Sequence, residues 1–338
     1  MSVALDATYS LGNNLSGVGV YSRKILWGVA NAHPREKFYY CYRPHRFLRS
    51  FRESLPRNAH RRLLYGAPGG DVFHALNQRV DQPARRTVTT FHDLFVMTGE
   101  YSSPEFRARF TEQARGAAQK SDLFIAVSQF TANQMTSLLG IDPQRIRVIP
   151  HGVDLPTASN EPRERMVLFV GALQKRKNVA RLVKAFEQMP PGWRLVLAGA
   201  ADGYGAKEEL IAVDASSRRN DIRVAGYVSA AELDSLYARA SIFAFPSLDE
   251  GFGMPVLEAM ARGVPVITSN RSAMPEVAGD AAVLVDPERD EEIGAALKAL
   301  AADKARREEL TALGLARARE FSWDRAVRST WSVYEELF

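Results

Sequence analysis

Twelve short runs of apolar and β-branched residues recur along this chain, and each is followed by a longer stretch with helical character. In the first half they occupy 3–7, 38–42, 71–75, 88–91, 123–127 and 146–149; in the second, 167–170, 195–198, 222–225, 242–245, 264–268 and 282–285. Runs this short, apolar on both sides and alternating with helices, predict parallel strands covered on both faces, because a parallel pair needs a crossover connection. Two such series in 338 residues predict two doubly wound α/β domains. The polar, proline-containing stretch 155–165 has linker composition and separates residues 1–154 from 166–322. Capping and periodicity mark helices over 178–189, over 229–240 (a capping box on Ser229 and Glu232) and after Ser322. The last carries Trp323, Val327, Trp331 and Tyr334 on one face. A stripe that aromatic needs a large groove, at the inter-domain surface or back on the first domain.

Composition narrows the class. With 46% hydrophobic and 25% charged residues the chain is globular rather than disordered or fibrous. No apolar run reaches the roughly 18–20 residues of a membrane helix, and the first residues read as a strand rather than a signal peptide. Cys41 is the single cysteine, which excludes an internal disulfide and a Cys-rich metal site. A cytosolic chain is expected, free or at the inner face of the membrane. The net charge of +5 is uneven: residues 1–154 hold 20 Lys and Arg against 12 Asp and Glu, a net of +8, which leaves −3 for the rest. A basic first half points to an anionic partner.

The densest chemistry lies in Asp249-Glu-Gly-Phe-Gly-Met-Pro-Val-Leu-Glu-Ala-Met-Ala-Arg-Gly263, between two strand runs. Gly251 and Gly253, around Phe252, form a turn whose backbone N–H groups can face a ligand. The helix expected over 254–262 opens on Met254 and Pro255 with its positive dipole end at the same place. Glu250 in the turn and Glu258 in the helix, about 10 Å apart at helical rise, suit a ligand with hydroxyls at both ends, as a nucleotide sugar has. A solvated Glu258 and purely turn-shaping glycines are the plain alternative. Upstream, Lys175, Arg176 and Lys177 follow the strand ending at Gly171; they are placed to neutralise a diphosphate, or form a solvated basic turn. In the first half, Thr89-Thr-Phe-His-Asp-Leu94 puts His92 and Asp93 at the carboxyl edge of a sheet. Gly17 and Gly19 open the first helix as a weak dinucleotide fingerprint. An NAD role is disfavoured, because Arg43 rather than an acid follows the second strand. Tyr227 and Val228 follow a strand of the second half.

Glu250 and Glu258, with Gly-Phe-Gly between and Ala-Met-Ala-Arg-Gly-Val-Pro-Val after, resemble the Glu-x7-Glu signature of retaining glycosyltransferase family 4, and the resemblance spans nearly the whole chain. It implies the α/β GT-B architecture: two facing Rossmann-like doubly wound parallel-sheet domains with an inter-domain cleft, acceptor on the first and nucleotide-diphosphate sugar on the second. By the same resemblance Arg176 and Lys177 bind the diphosphate and stabilise it as it leaves, Glu250 binds sugar hydroxyls, and His92 contacts the donor sugar. Glu258 is expected to hold the ribose and Asp93 to orient His92 or the acceptor hydroxyl. Gly17 and Gly19 are expected to keep the backbone clear of the ligands. Backbone groups near Gly171, Tyr227 and Val228 line the donor, while Ser128, His151 and Gly152 shape the cleft floor. Ala172 departs from the pattern, since many members have Arg there, which leaves the leaving-group charge to Arg176 and Lys177. No Asp-x-Asp pair occurs, so no metal and no other cofactor is expected, and the implied reaction runs on one face of the sugar, the departing phosphate taking the acceptor's proton.

The combination of Gly-Ala-Leu-x-x-Arg-Lys-Asn, Phe-His-Asp-Leu and Gly-Tyr-Val-Ser is most similar to mannosyltransferases of polysaccharide and O-antigen assembly. That makes GDP-mannose the first donor, UDP-glucose or a dTDP- or UDP-deoxysugar the alternatives, and a glycan or lipid-linked hydroxyl the acceptor. A non-catalytic nucleotide-sugar-binding subunit is the competing reading from another class. Residues 43–62, from Arg43 to Arg62, hold seven Arg against Glu53, with Phe47, Leu48, Phe51 and Leu55 interleaved. They read as an interfacial helix for peripheral membrane contact or as a solvated basic face. No nucleic-acid motif accompanies the charge, so nucleic acid is not an expected partner.

Overall fold

A computed structural model describes residues 1–12, 14–82, 84–156 and 161–338; positions 157–160 of the expected linker lie outside the described residues. The chain divides into two compact units, one formed by Met1–Thr98, Pro104–Gly152 and Phe321–Phe338, the other by Gly99–Ser103 and Val153–Glu320.

The first unit holds seven strands: β1 (Ser2–Asp6), β2 (Lys37–Tyr42), β3 (Ala59–Leu63), β4 (Val72–Ala75), β5 (Thr87–Phe91), β6 (Leu123–Ala126) and β7 (Ile146–Val148). They form one sheet in the order β3-β2-β1-β4-β5-β6-β7, with every pair parallel. The order reverses direction between β1 and β4. Alternation along β1 divides the core in two: Val3 and Leu5 pack with apolar residues of helices Gly17–Ala32 and Trp323–Glu335, and Ala4 packs with those of Pro104–Lys120 and Gln129–Leu139. The aromatic stripe after Ser322 therefore lies in the core of the first unit. Gly28 lets its helix approach closely, since a Cβ there would stand 2.3 Å from Val327 Cγ2. Ser322 caps the helix by accepting from the Arg325 amide at 3.0 Å.

Strand β3, Ala-His-Arg-Arg-Leu, corrects the expected interfacial helix. Residues 43–62 fold instead as a short helix, Pro44–Ser50, a turn, and most of an edge strand paired to β2 alone, from Phe38↔Ala59 to Tyr42↔Leu63. An edge strand has one free flank and tolerates charge, so its residues carry no apolar run to betray it. Phe47 and Leu55 pack on the core and Arg43 is buried, while Leu48 is 80% and Phe51 62% exposed.

The second unit holds β8 (Glu164–Val170), β9 (Arg194–Ala198), β10 (Ile222–Gly226), β11 (Ala240–Phe245), β12 (Val266–Ser269) and β13 (Ala282–Val285) in one parallel sheet, order β10-β9-β8-β11-β12-β13. Its order reverses between β8 and β11. β8 opens inside the expected linker because Glu164 is held by Arg194 at 2.7 Å and Arg239 at 3.1 Å. Phe169 and Phe243 stack on Phe245 at 5.8 and 6.0 Å in the core. Among the described residues no helix is long and apolar enough to cross a membrane.

Candidate active site

In a doubly wound sheet the crevice outside the carboxyl ends of the strands, at the reversal of strand order, is where ligands bind. In the second unit this is where β8 runs into residues 171–178 and β11 into residues 246–253. After β8 the backbone passes through Gly171 at φ +154°, against which Gly199 packs so closely that a Cβ there would lie 1.9 Å from the Gly171 carbonyl oxygen. Lys175–Lys177 then forms one tight helical turn ending at Asn178, left-handed at φ +61°. The Asn178 side-chain amide donates to the carbonyls of Pro246 at 3.0 Å and Pro287 at 2.6 Å, which fixes the turn against the loop after β11.

That anchoring brings together residues 73 positions apart. Lys177 Nζ donates to Glu250 Oε1 at 2.5 Å and Arg176 reaches the same oxygen at 2.7 Å, with Ser247 Oγ a third donor at 2.7 Å. Oε2 takes no hydrogen bond among the described residues. Arg176 also donates to the Asp249 carbonyl, and Lys177 Nζ lies 4.5 Å from the Phe245 ring centroid. Burial alone would raise the Glu250 carboxyl, but the charges of Arg176 and Lys177, with their hydrogen bonds, outweigh it and bring the pKa to about 2. Glu250 is therefore a carboxylate at neutral pH, and the trio retains one net positive charge.

Gly253, left-handed at φ +90°, caps helix Met254–Ala261 with no side-chain hydrogen bond, and a Cβ on it would strike Met274 Cε at 2.2 Å. Pro255 has no N–H and Val256 N donates to the Gly253 carbonyl at 3.0 Å, so the N–H left for an anion or hydroxyl in the first turn is that of partly exposed Met254, beside buried Gly251 and Phe252. Glu258, on the same helix, accepts from Tyr237 Oη at 3.0 Å. Burial raises its carboxyl, against the pull of that hydrogen bond and of Arg262. Tyr227, 59% exposed, and half-buried Val228 follow β10, next to β9 at the sheet edge.

The remaining candidates sit in the first unit. His92 Nε2 donates to the Leu76 carbonyl at 2.9 Å, so that its Nδ1 is the unprotonated nitrogen. Its ring lies 4.8 Å from Tyr21, edge to face, and 5.4 Å from His151, stacked. Burial lowers its pKa to about 4, against the opposing pull of the Leu76 hydrogen bond. Asp93 follows directly after it. His151 also touches the Trp323 ring at 6.0 Å, and Gly152 leaves room for the Trp323 backbone. Ser128 is the cap of helix Gln129–Leu139, accepting from Thr131 N at 3.0 Å. Gly19 sits where a Cβ would approach the Tyr9 carbonyl oxygen to 2.8 Å, and exposed Gly17 opens the helix after Ser16.

The structure thus groups Arg176, Lys177, Glu250 and the 251–253 turn in one unit, and His92, Asp93, Gly17 and Gly19 in the other. Sequence reasoning missed the residues that hold the first group: Asn178, Ser247, and Ser272, whose Oγ accepts from Glu250 N at 3.2 Å. The only local hint was an Asn directly after three cations, a residue type that tolerates left-handed backbone.

Residues 156–314 match the family described as Glycosyl transferases group 1 and residues 28–156 that described as Glycosyltransferase Family 4. The O-antigen chain mannosyltransferase B of Escherichia coli is 32% identical over 283 residues, covering 79% of this chain and 74% of that protein. The D-inositol 3-phosphate glycosyltransferase of Segniliparus rotundus is 30% identical over 75% of this chain and 61% of its own length. The MMP alpha-(1->4)-mannosyltransferase of Mycolicibacterium hassiacum is 32% identical over 67% and 57% respectively; the chain spans less than two thirds of these last two. Among solved structures, sucrose-phosphate synthase of Thermosynechococcus elongatus superposes with a TM-score of 0.80 at 20% identity over 100% of this chain and 99% of that one. Anabaena HepE, in complex with UDP and glucose, superposes at 0.76 and 17% over 99% of each. At these identities the likeness is one of fold.

Proposed function

Because this chain belongs to the family 4 glycosyltransferases, we propose that it moves mannose from GDP-mannose to a hydroxyl of a glycan or lipid-linked acceptor, with retention at the anomeric carbon and without a metal. The observation that carries this reading is the buried Arg176–Glu250–Lys177 trio at the strand-order reversal of the second unit. Two cations fixed in a water-poor site are aimed in advance at the charge that develops on a departing diphosphate. Glu250 keeps them ionised and in place, while its second carboxylate oxygen is left to accept from a sugar hydroxyl. The Met254 N–H at the start of helix Met254–Ala261 supplies a further donor. In a same-face reaction the leaving phosphate oxygen takes the acceptor's proton, so no side chain has to act as the base. Neutral His92 suits this: it offers the sugar a polar contact and brings no charge. Mannose is supported by the names of two relatives, the O-antigen chain mannosyltransferase B and the MMP alpha-(1->4)-mannosyltransferase. Metal independence follows in this reading from Arg176 and Lys177, two fixed cations that can take the place of a divalent ion on the diphosphate.

Calorimetric titration with GDP, UDP and dTDP tests the reading. GDP should bind tightest, and without added metal; a preference for UDP or dTDP would replace mannose and keep the transferase, and binding of none would overturn both. Glu258→Ala should weaken the preferred nucleotide about 10- to 100-fold, the loss of hydrogen bonds to a charged group. Unchanged affinity would remove Glu258 from the ribose site.

The reading extends to peripheral membrane contact. Exposed Leu48 and Phe51 stand among Arg49, Arg52, Arg57 and Arg61, the last 5.3 Å from the Phe51 ring. Burying two such side chains favours the interface by roughly 1.5–3 kcal/mol each. Vesicles with anionic lipid should retain the chain at low salt, and Leu48→Ser with Phe51→Ser should release it. Equal retention of that variant would place the contact elsewhere.

A further inference from the structure

At its own reversal of strand order, the first unit has a recess of about 330 Å³ lined by residues that follow β1, β2 and β4, among them Thr8, Tyr9, Arg43, Arg46 and Arg79, with Ser16 beside them. Its wall holds three arginines and a histidine and no carboxylate. The nearby acids are already engaged behind it. Asp6 holds Arg43 at 3.1 Å, and Asp81 holds both Arg43 and Arg79, the latter at 2.7 Å. Arg43 is 4% exposed, and its Nε is buried with no hydrogen-bond partner among the described residues. The guanidinium of half-buried Arg46 makes no hydrogen bond or ion pair among the described residues. Burial, and then the charge of Arg43, lowers the pKa of Arg79. The 16-residue helix Gly17–Ala32 starts at the same wall and adds its positive end. Asp6 and Asp81 offset two of the three guanidinium charges, so the cluster keeps one net positive charge, on the side where Arg46 has no carboxylate, and planar guanidinium forks match phosphate oxygens.

We propose that this recess seats a phosphate or diphosphate group carried by the acceptor, bound by Arg46 and Arg79 with Arg43 behind them. The proposal rests on the reading that the first unit takes the acceptor, and it narrows that acceptor to a phosphate-bearing molecule: a sugar phosphate or a lipid-linked glycan diphosphate.

Titrating inorganic pyrophosphate into the full chain, already saturated with its preferred nucleoside diphosphate, isolates the recess from the donor site. The wild-type chain should bind with an affinity that falls as salt rises, Arg46→Ala at least about tenfold more weakly, and Arg46→Lys between the two. Equal affinity of wild type and Arg46→Ala, or no binding by the wild type, overturns the proposal. Dodecyl diphosphate below its micelle concentration separates the sources. Tighter binding than pyrophosphate, still dependent on Arg46, supports a lipid headgroup; equal binding supports a soluble sugar phosphate. If no nucleotide binds, the transferase reading falls, while Arg46-dependent pyrophosphate binding still decides the recess by itself.

Discussion

Replacing Glu250 with alanine is expected to cost about 3–5 kcal/mol of stability and to lower sugar transfer about a hundredfold or more. The cost has one cause. Arg176 and Lys177 are both buried and both spend their charge on Glu250 Oε1, so removing the carboxylate strands two cations in a poorly hydrated site. A thermal melt reads the first effect and donor turnover the second. A nucleoside diphosphate should then raise the Tm of Glu250→Ala by more than it raises that of the wild type, because it returns the missing negative charge. That readout separates a site built for diphosphate from an ion pair that only holds the fold. Arg176→Ala with Lys177→Ala is the mirror experiment: it strands the carboxylate, should abolish diphosphate affinity, and should not be rescued by nucleotide. A Glu250→Ala chain with wild-type melting and turnover would overturn both the geometry and the assignment.

Acidification is expected to unfold the first unit before the second. His74, His92 and His151 are all buried there. Burial lowers His74 to about 3 and His92 to about 4, and holds His151 well below its ordinary 6.5, with His92 adding to the effect on His74 and His151. The unfolded chain protonates each near 6.5 and the folded unit does not. Stability is therefore constant above that pH and falls below it by up to about 1.4 kcal/mol per pH unit per histidine, until the folded values are reached. Glu250 in the second unit works in a lower window. Its pairs contribute fully above its ordinary 4.5 and lose that contribution as pH falls towards about 2. At pH 5, hydrogen exchange in peptides covering 72–91 and 146–151 should accelerate ahead of those covering 171–178 and 245–253. Simultaneous opening, or the second unit first, would mean that these histidines are not held neutral.

Much of this site was legible in one dimension because its markers are local. Gly253 needs a left-handed backbone directly before a helix, and a Gly-x-Gly turn between a strand and a helix states that need within a few residues. The same holds for Ser229, which caps its helix by accepting from Glu232 N at 3.2 Å, and for the strands buried on both faces, whose apolar runs are continuous. β3 was not legible, because an edge strand with a charged flank satisfies no apolar pattern. Arg43 was read with a membrane face, yet the fold buries it against Asp6, 37 positions away, where its charge is neutralised.

The sequence by itself determined that the chain is α/β with two parallel sheets, and that Arg176, Lys177, Glu250 and His92 stand at the carboxyl edges of strands; spacing along a strand or helix is a short-range property that side-chain type already encodes. Only the tertiary structure decided that Glu250 shares one oxygen among three donors, that His92 is neutral beneath Tyr21 and His151, and that Arg43, Arg46 and Arg79 line one recess. Those are matters of burial and of charges meeting across distant segments, and the free energy of an ionised group depends on the solvent it has lost and the partner it has found.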